Sequence, residues 1–192
     1  MDTVRFFKDR SKERLKALRN VGDAKHTLQQ IQHRLAREAG FSSWSELLSA
    51  DDSERRLAVV MLQEPLLNSN GMGAGPYPGT PQERRERFEL WRTELRSSAE
   101  NVARVRAWLE QNIERRKTIN ADAGSYGLKH FAEKVLGGYV SNGELIAAAI
   151  IAEFPYRHHG GLSPNVSFGM TSGSVKAARS AAEAAGEARW RG

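Results

Sequence analysis

SYGLKHFAEKVLGGYVSNGELIAAAIIAEF, residues 125–154, is the stretch on which the fold turns. Ahead of Gly137-Gly138, Leu128, Phe131, Ala132, Val135 and Leu136 recur at helical spacing while Lys129, Glu133 and Lys134 lie off that face. The spacing predicts an amphipathic helix stopped by glycine. Beyond the turn, Ser141-Asn142-Gly143-Glu144 has the spacing of a capping box, in which the hydroxyl accepts from an orphan amide and the carboxylate reaches back. The run from Leu145 to Ala152 is apolar nearly all round, which suits a helix buried on most sides, and Pro155 stops it. The pair predicts a core and names no reaction.

Upstream, Thr80-Pro81-Gln82-Glu83 opens a helix with three agreeing signals: threonine cap, proline at the first turn and a glutamate completing a second capping box. Phe88, Trp91, Leu95, Ser98, Val102, Val105 and Leu109 then step by three and four, a heptad seam whose one polar member is Ser98. The pattern predicts one helix over about 81–116, roughly 50 Å long at the usual rise. Its exposed faces carry ten basic residues among 84–117 and seven glutamates, several at pairing distance such as Glu83–Arg87 and Glu100–Arg104. The unpaired excess gathers at Arg84-Arg85 and Arg115-Arg116-Lys117; Lys129, Lys134 and Arg157 flank the central pair. These eight are the residues expected to contact phosphate.

The N-terminal part, 1–67, reads as a helical module. Helices are expected over 3–20, about 24–39 with Gly40 as stop, a short one from Ser42 or Ser43 anchored by Trp44, and 53–67 closed by Pro65. Residues 68–80, NSNGMGAGPYPGTP with its flanking proline, read as a flexible glycine- and proline-rich loop. The second part spans 81–171, where 166–170 suggest a short extended segment. Residues 172–192 form an alanine-rich tail ending in Arg189-Trp190-Arg191, helical but expected to fray. The expected fold class is all-α, a helical bundle organised around the long helix and the buried pair.

Composition narrows the function. Hydrophobic content of 40% and charged content of 27% are ordinary for a globular chain. The absence of cysteine excludes disulfides, thiolate metal sites and thiol nucleophiles. MDTVRFFKDRSKERLK offers no apolar stretch of a secretory signal, and 145–152 falls short of the roughly 20 residues of a membrane span. A cytoplasmic protein without membrane attachment is the expectation. The net charge of +6 suits a polyanionic partner or an acidic protein surface, against the plainer reading of a solvated basic exterior.

Chemistry finds little purchase. His26, His33, His130, His158 and His159 include no HExxH pair, and the glycine loop lacks the lysine and preceding strand of a phosphate cradle. Tyr126, His130 and Glu133 share one helical face beside Ser125, a possible acid–base cluster or simply a capped and paired helix end. Two segments admit a helix-turn-helix: the pair around Gly40-Phe41, and 125–154, where Asn142, Gly143 and Glu144 would meet base edges. The apolar helix that follows Glu144 argues for a core role instead. No catalytic residue, metal site or cofactor is expected.

The residues Trp108-Leu109, Asn112-Ile113, Lys117-Thr118-Ile119-Asn120, SYGLKH at 125–130, Glu133, YVSNG at 139–143, Ile146-Ala147-Ala148-Ala149 and Asn165-Val166 with Phe168 together resemble an uncharacterised family of phage, plasmid and integrative-element proteins. Upstream, His26-Thr27-Leu28 and Ala36 to Leu47, with Gly40-Phe41 and Trp44, resemble a small helical module of mobile-element proteins. The resemblance implies genetic context and no activity. The resulting expectation is a non-enzymatic accessory or regulatory protein that engages nucleic acid or a nucleoprotein complex through arginine. The alternative is a module or inhibitor that binds a host or element protein without nucleic acid. A monomer and a homodimer are both compatible with the seam.

Overall fold

The computed structural model describes residues 1–23 and 25–190, and for Arg189 and Trp190 the backbone alone. It divides into two compact units, Met1–Gln63 and Glu64–Gly192.

The first unit holds α1 (Thr3–Asn20), α2 (Leu28–Glu38), α3 (Trp44–Ser49) and α4 (Asp52–Gln63). Side-chain caps set the helix starts. Asp2 accepts from the amide of Arg5, Thr27 and Gln30 form a capping box, and Ser43 accepts from the amide of Glu46. The Thr27 box fixes the start of α2 at Leu28, later than the residue 24 expected from spacing; Ala24 itself lies outside the described residues. Phe7, Leu35, Ala36, Leu47 and Val59 meet in a core edged by Phe41 and Trp44. Burying each large apolar side chain contributes about 1.5–3 kcal/mol. Thr3 ties α1 to α4, its hydroxyl donating to Asp52 Oδ1 at 3.1 Å and accepting from Arg55 Nε at 2.9 Å.

The second unit runs β1 (Leu67–Asn68), β2 (Gly71–Met72), α5 (Pro81–Arg96), α6 (Ala99–Asn112), α7 (Ser125–Leu136), α8 (Asn142–Ile151), β3 (Tyr156–His158), β4 (Val166–Phe168) and α9 (Ser172–Trp190). The chain is therefore mostly helical with two small antiparallel sheets, β1–β2 and β3–β4, and the all-α expectation is corrected to that extent. Tyr156 pairs with Phe168 and His158 with Val166. The centre is α8: every residue from Asn142 to Ala149 is buried, with α6 and α7 packed on it. The capping box of Ser141 and Glu144 forms as its spacing predicts, and Gly137 in the left-handed region caps α7.

The structure differs from the expected elements in three places. The long helix of 81–116 is two helices broken at Ser97-Ser98. Both serine hydroxyls donate back to carbonyls, Ser97 to Thr93 and Ser98 to Leu95, and compete with the helical ladder. The heptad pattern passes through the break because Leu95, Val102, Val105 and Leu109 are buried on both sides of it. The helix expected over 53–67 ends at Gln63, and the glycine-rich segment begins as a buried hairpin, Leu67 opposite Met72 and Asn68 opposite Gly71. A Cβ on Gly143 would sit 1.9 Å from the carbonyl oxygen of Asn68, so only glycine lets α8 start against that hairpin. Finally, α9 packs on α7 through Val175, Ala178 and Ala182, whose small side chains allow close approach in place of the large apolar contacts a helix usually shows. The basic end of the tail, Arg189-Trp190-Arg191, lies outside the described side chains.

Candidate nucleic-acid interface

The SYGLKH and YVSNG segments meet at the turn between α7 and α8. Glu133 is the hub. Its Oε1 accepts from Lys129 Nζ at 3.1 Å and from the amide of Val140 at 3.2 Å, and its Oε2 accepts from His130 Nδ1 at 2.6 Å. Lys129 also donates to the carbonyl of Val140 at 3.3 Å, so Val140 is held through both its N–H and its C=O. Burial alone would raise the Glu133 carboxyl, but the bonds from Lys129, Val140 and His130 outweigh it and hold the group below the usual carboxylate range. A carboxylate kept ionised by a buried ammonium is a poor proton acceptor, and Ser125 is occupied: its hydroxyl accepts from the amide of Val166 at 3.2 Å. The cluster is a clamp.

The eight expected phosphate contacts separate into two groups. Lys129 is corrected outright: it is 7% exposed and spent on Glu133 and Val140. Arg115 donates from Nη2 to the carbonyl of Ala152 at 2.6 Å, lies 5.6 Å from the Phe154 ring centroid and is 3.7 Å from Glu153. Arg116 donates to the carbonyls of Thr118 and Ile119 at 2.8 and 2.9 Å. Arg84 donates to the carbonyl of Gly79 at 3.0 Å and secures the entry of its own helix. Arg85, Lys117, Lys134 and Arg157 are exposed, and no side-chain partner holds them among the described residues.

The helix-turn-helix reading of 125–154 does not survive. Asn142, Gly143 and Glu144 are buried against the β1–β2 hairpin, so the start of α8 has no access to a groove. In the first unit α3 has six residues, and its exposed positions, Ser45, Glu46, Leu48 and Ser49, include no arginine, lysine, asparagine or glutamine. His158 donates to the carbonyl of Ser163, His159 sits 2.9 Å from the Ser167 hydroxyl, and no cluster of three metal-ligating side chains forms among the described residues.

A further basic surface lies on α1, outside the eight residues expected to contact phosphate. Arg5, Lys8, Lys12, Lys16 and Arg19 are all exposed along α1. At 3.6 residues per turn their spacing of three and four gathers them into an arc of about 80°, over about 21 Å of helix. Asp9 pairs with Arg5 at 3.5 Å and with Lys12 at 3.6 Å; Lys8, Lys16 and Arg19 have no side-chain partner among the described residues. The interval Lys8, Lys12, Lys16 is visible in the sequence, where these residues read as the charged side of an amphipathic helix and carry no marker of a ligand.

Fold and surface thus define a mostly helical protein with cations presented along α1. Comparison of the chain with known family models, curated proteins and solved structures gives no match.

Proposed function

We propose that the protein is a non-enzymatic accessory or regulatory protein that binds nucleic acid, alone or in a nucleoprotein complex, through an exposed basic surface. The resemblance over 108–170 supports a mobile genetic element as its setting. The observation that carries the reading is the α1 stripe. Five exposed cations share one face, and a single aspartate pairs two of them. Successive cations four residues apart rise about 6 Å along the helix, close to two of the 3.4 Å axial steps between phosphates on one strand. Release of condensed counterions by such contacts supplies affinity without sequence readout.

The test is fluorescence anisotropy with labelled duplex and single strand at about 50 and 200 mM salt, the range over which several phosphate contacts separate clearly. Affinity is expected to fall log-linearly with salt, with a slope that drops by about 0.9 for each duplex phosphate contact removed in Lys8→Ala, Lys16→Ala and Arg19→Ala. No binding of either probe at low salt would sink the reading and leave a protein-binding module or inhibitor.

A further inference from the structure

We infer that Tyr126 and Tyr139 form a base-stacking platform for single-stranded nucleic acid; this rests on the nucleic-acid reading above and assigns the kind of strand. Tyr126 is 57% exposed and Tyr139 74% exposed, although phenol rings gain from burial. The two rings flank one cation: the Lys129 ammonium lies 5.7 Å from the centroid of Tyr126 and 5.2 Å from that of Tyr139. His130 meets Tyr126 edge to face at 4.7 Å.

An exposed tyrosine on a glycine turn normally samples many positions. Here the backbone beneath it is fixed. Asn101 Nδ2 donates to the carbonyl of Tyr139 at 3.2 Å, and the next residue, Val140, is held through N–H by Glu133 and through C=O by Lys129. On the other side of the turn the Arg104 guanidinium lies over Gly138, where a Cβ would approach its Nη2 to 3.1 Å, and it donates to Asn101 at 2.6 Å. The result is two solvent-facing rings on a rigid base, the arrangement that lowers the ordering cost of stacking.

Charge decides the occupant. Glu133, the carboxylate bonded at this turn, is consumed by Lys129 and His130, while Arg104 is exposed beside Gly138 and Lys134 is exposed on α7. Aromatic faces accompanied by cations suit bases joined by phosphates; a duplex hides its base faces and offers nothing to stack. Arg104 and Lys134 supply the phosphate contacts and the rings take neighbouring bases of one strand.

The experiment compares a fluorescein-labelled oligothymidine with a hairpin duplex, binding to wild type and to Tyr126→Ala with Tyr139→Ala, to the paired Leu variants and to the paired Phe variants. Circular dichroism melting checks that each variant folds, and the Phe and Leu pairs preserve bulk if the Ala pair does not. Loss of the aromatic ring is expected to weaken single-strand binding by about tenfold or more, leave duplex binding unchanged, and be restored by Phe. Single-strand affinity that is unchanged in the Leu pair, or lost equally in the Phe pair, overturns the platform. So does wild type that binds duplex alone, an outcome that leaves the electrostatic reading intact. Failure to bind either probe removes both. Tyrosine-dependent binding of labelled polyglutamate would also overturn it, in favour of an acidic peptide.

Discussion

The segment Arg115-Arg116-Lys117 and the α1 stripe are both basic and meet opposite fates. In the first, the two guanidinium groups turn back onto the chain. Arg115 reaches the carbonyl that ends α8 and Arg116 those of Thr118 and Ile119. These are carbonyls without regular secondary-structure partners, and a fork of donors is a ready way to satisfy them. In the second, Lys8, Lys16 and Arg19 meet neither carbonyl nor carboxylate among the described residues, because the helix uses its own backbone groups internally. Basic residues on irregular backbone tend to be staples; those on the outer face of a helix are available to a partner.

The sharpest way to break that contrast is to remove the most internal cation. Lys129→Ala leaves Glu133 charged and partly buried with its strongest donor gone, and should cost about 3 kcal/mol in urea denaturation. Lys8→Ala should stay within about 0.5 kcal/mol of wild type. Similar costs for both would mean that the clamp at the α7–α8 turn contributes little.

Binding should show the reverse ranking. The triple variant of Lys8, Lys16 and Arg19 to alanine is expected to lose about a hundredfold in affinity for duplex at about 50 mM salt, while Arg115→Ala with Arg116→Ala changes it less than threefold if the protein remains folded. A large loss in the Arg115 and Arg116 pair, with none in the stripe, would return the interface to the segment first expected from sequence. Stability sharpens the same point: Arg116→Ala should cost about 1–2 kcal/mol, because two carbonyls lose a charged donor, measurable as a lower urea midpoint at unchanged slope.

What could be read in advance follows from how local each signal is. The boxes at Thr80–Glu83 and Ser141–Glu144 involve residues three apart, and both form as their spacing predicts. The burial of α8 was legible because its apolar residues cover every side of the helix. The break at Ser97-Ser98 was not, since the seam of Leu95, Val102 and Leu109 is compatible with one helix or two in succession. The hairpin of Leu67 to Met72 is too short for alternation to register, and its stability comes from residues some 70 positions later, Gly143 and Asn142, whose Nδ2 donates to the carbonyls of Asn70 and Pro164. At the platform, Tyr126, His130 and Glu133 were placed on one face from sequence alone. Tyr139 and Arg104 join them through tertiary contacts that no spacing encodes. Lys129 was misread for a related reason: its place off the apolar face is compatible with solvent or with a buried pair, and the turn after Gly138 decides between them.

The smallest expected effect is also the most specific to the clamp. The Glu133 carboxyl lies below its ordinary value because Lys129, Val140 and His130 favour the ionised form over the cost of burial. A group whose folded value is depressed adds stability above its unfolded value, about 4.3 for glutamate, and that contribution disappears as pH falls through the folded value. Glu133→Gln removes the titration and keeps the shape. At neutral pH the variant should melt below wild type by a few degrees, about what 1 kcal/mol produces in a protein of this size. The gap should persist to about pH 4.3 and close at lower pH, where wild type is protonated as well. Other acids with lowered values, Asp23, Glu46, Asp52 and Glu83, are common to both proteins and cancel in the difference. A gap that stays constant down to strongly acidic pH would mean that the carboxylate charge does not hold Lys129, and that geometry alone fixes the turn beneath Tyr139.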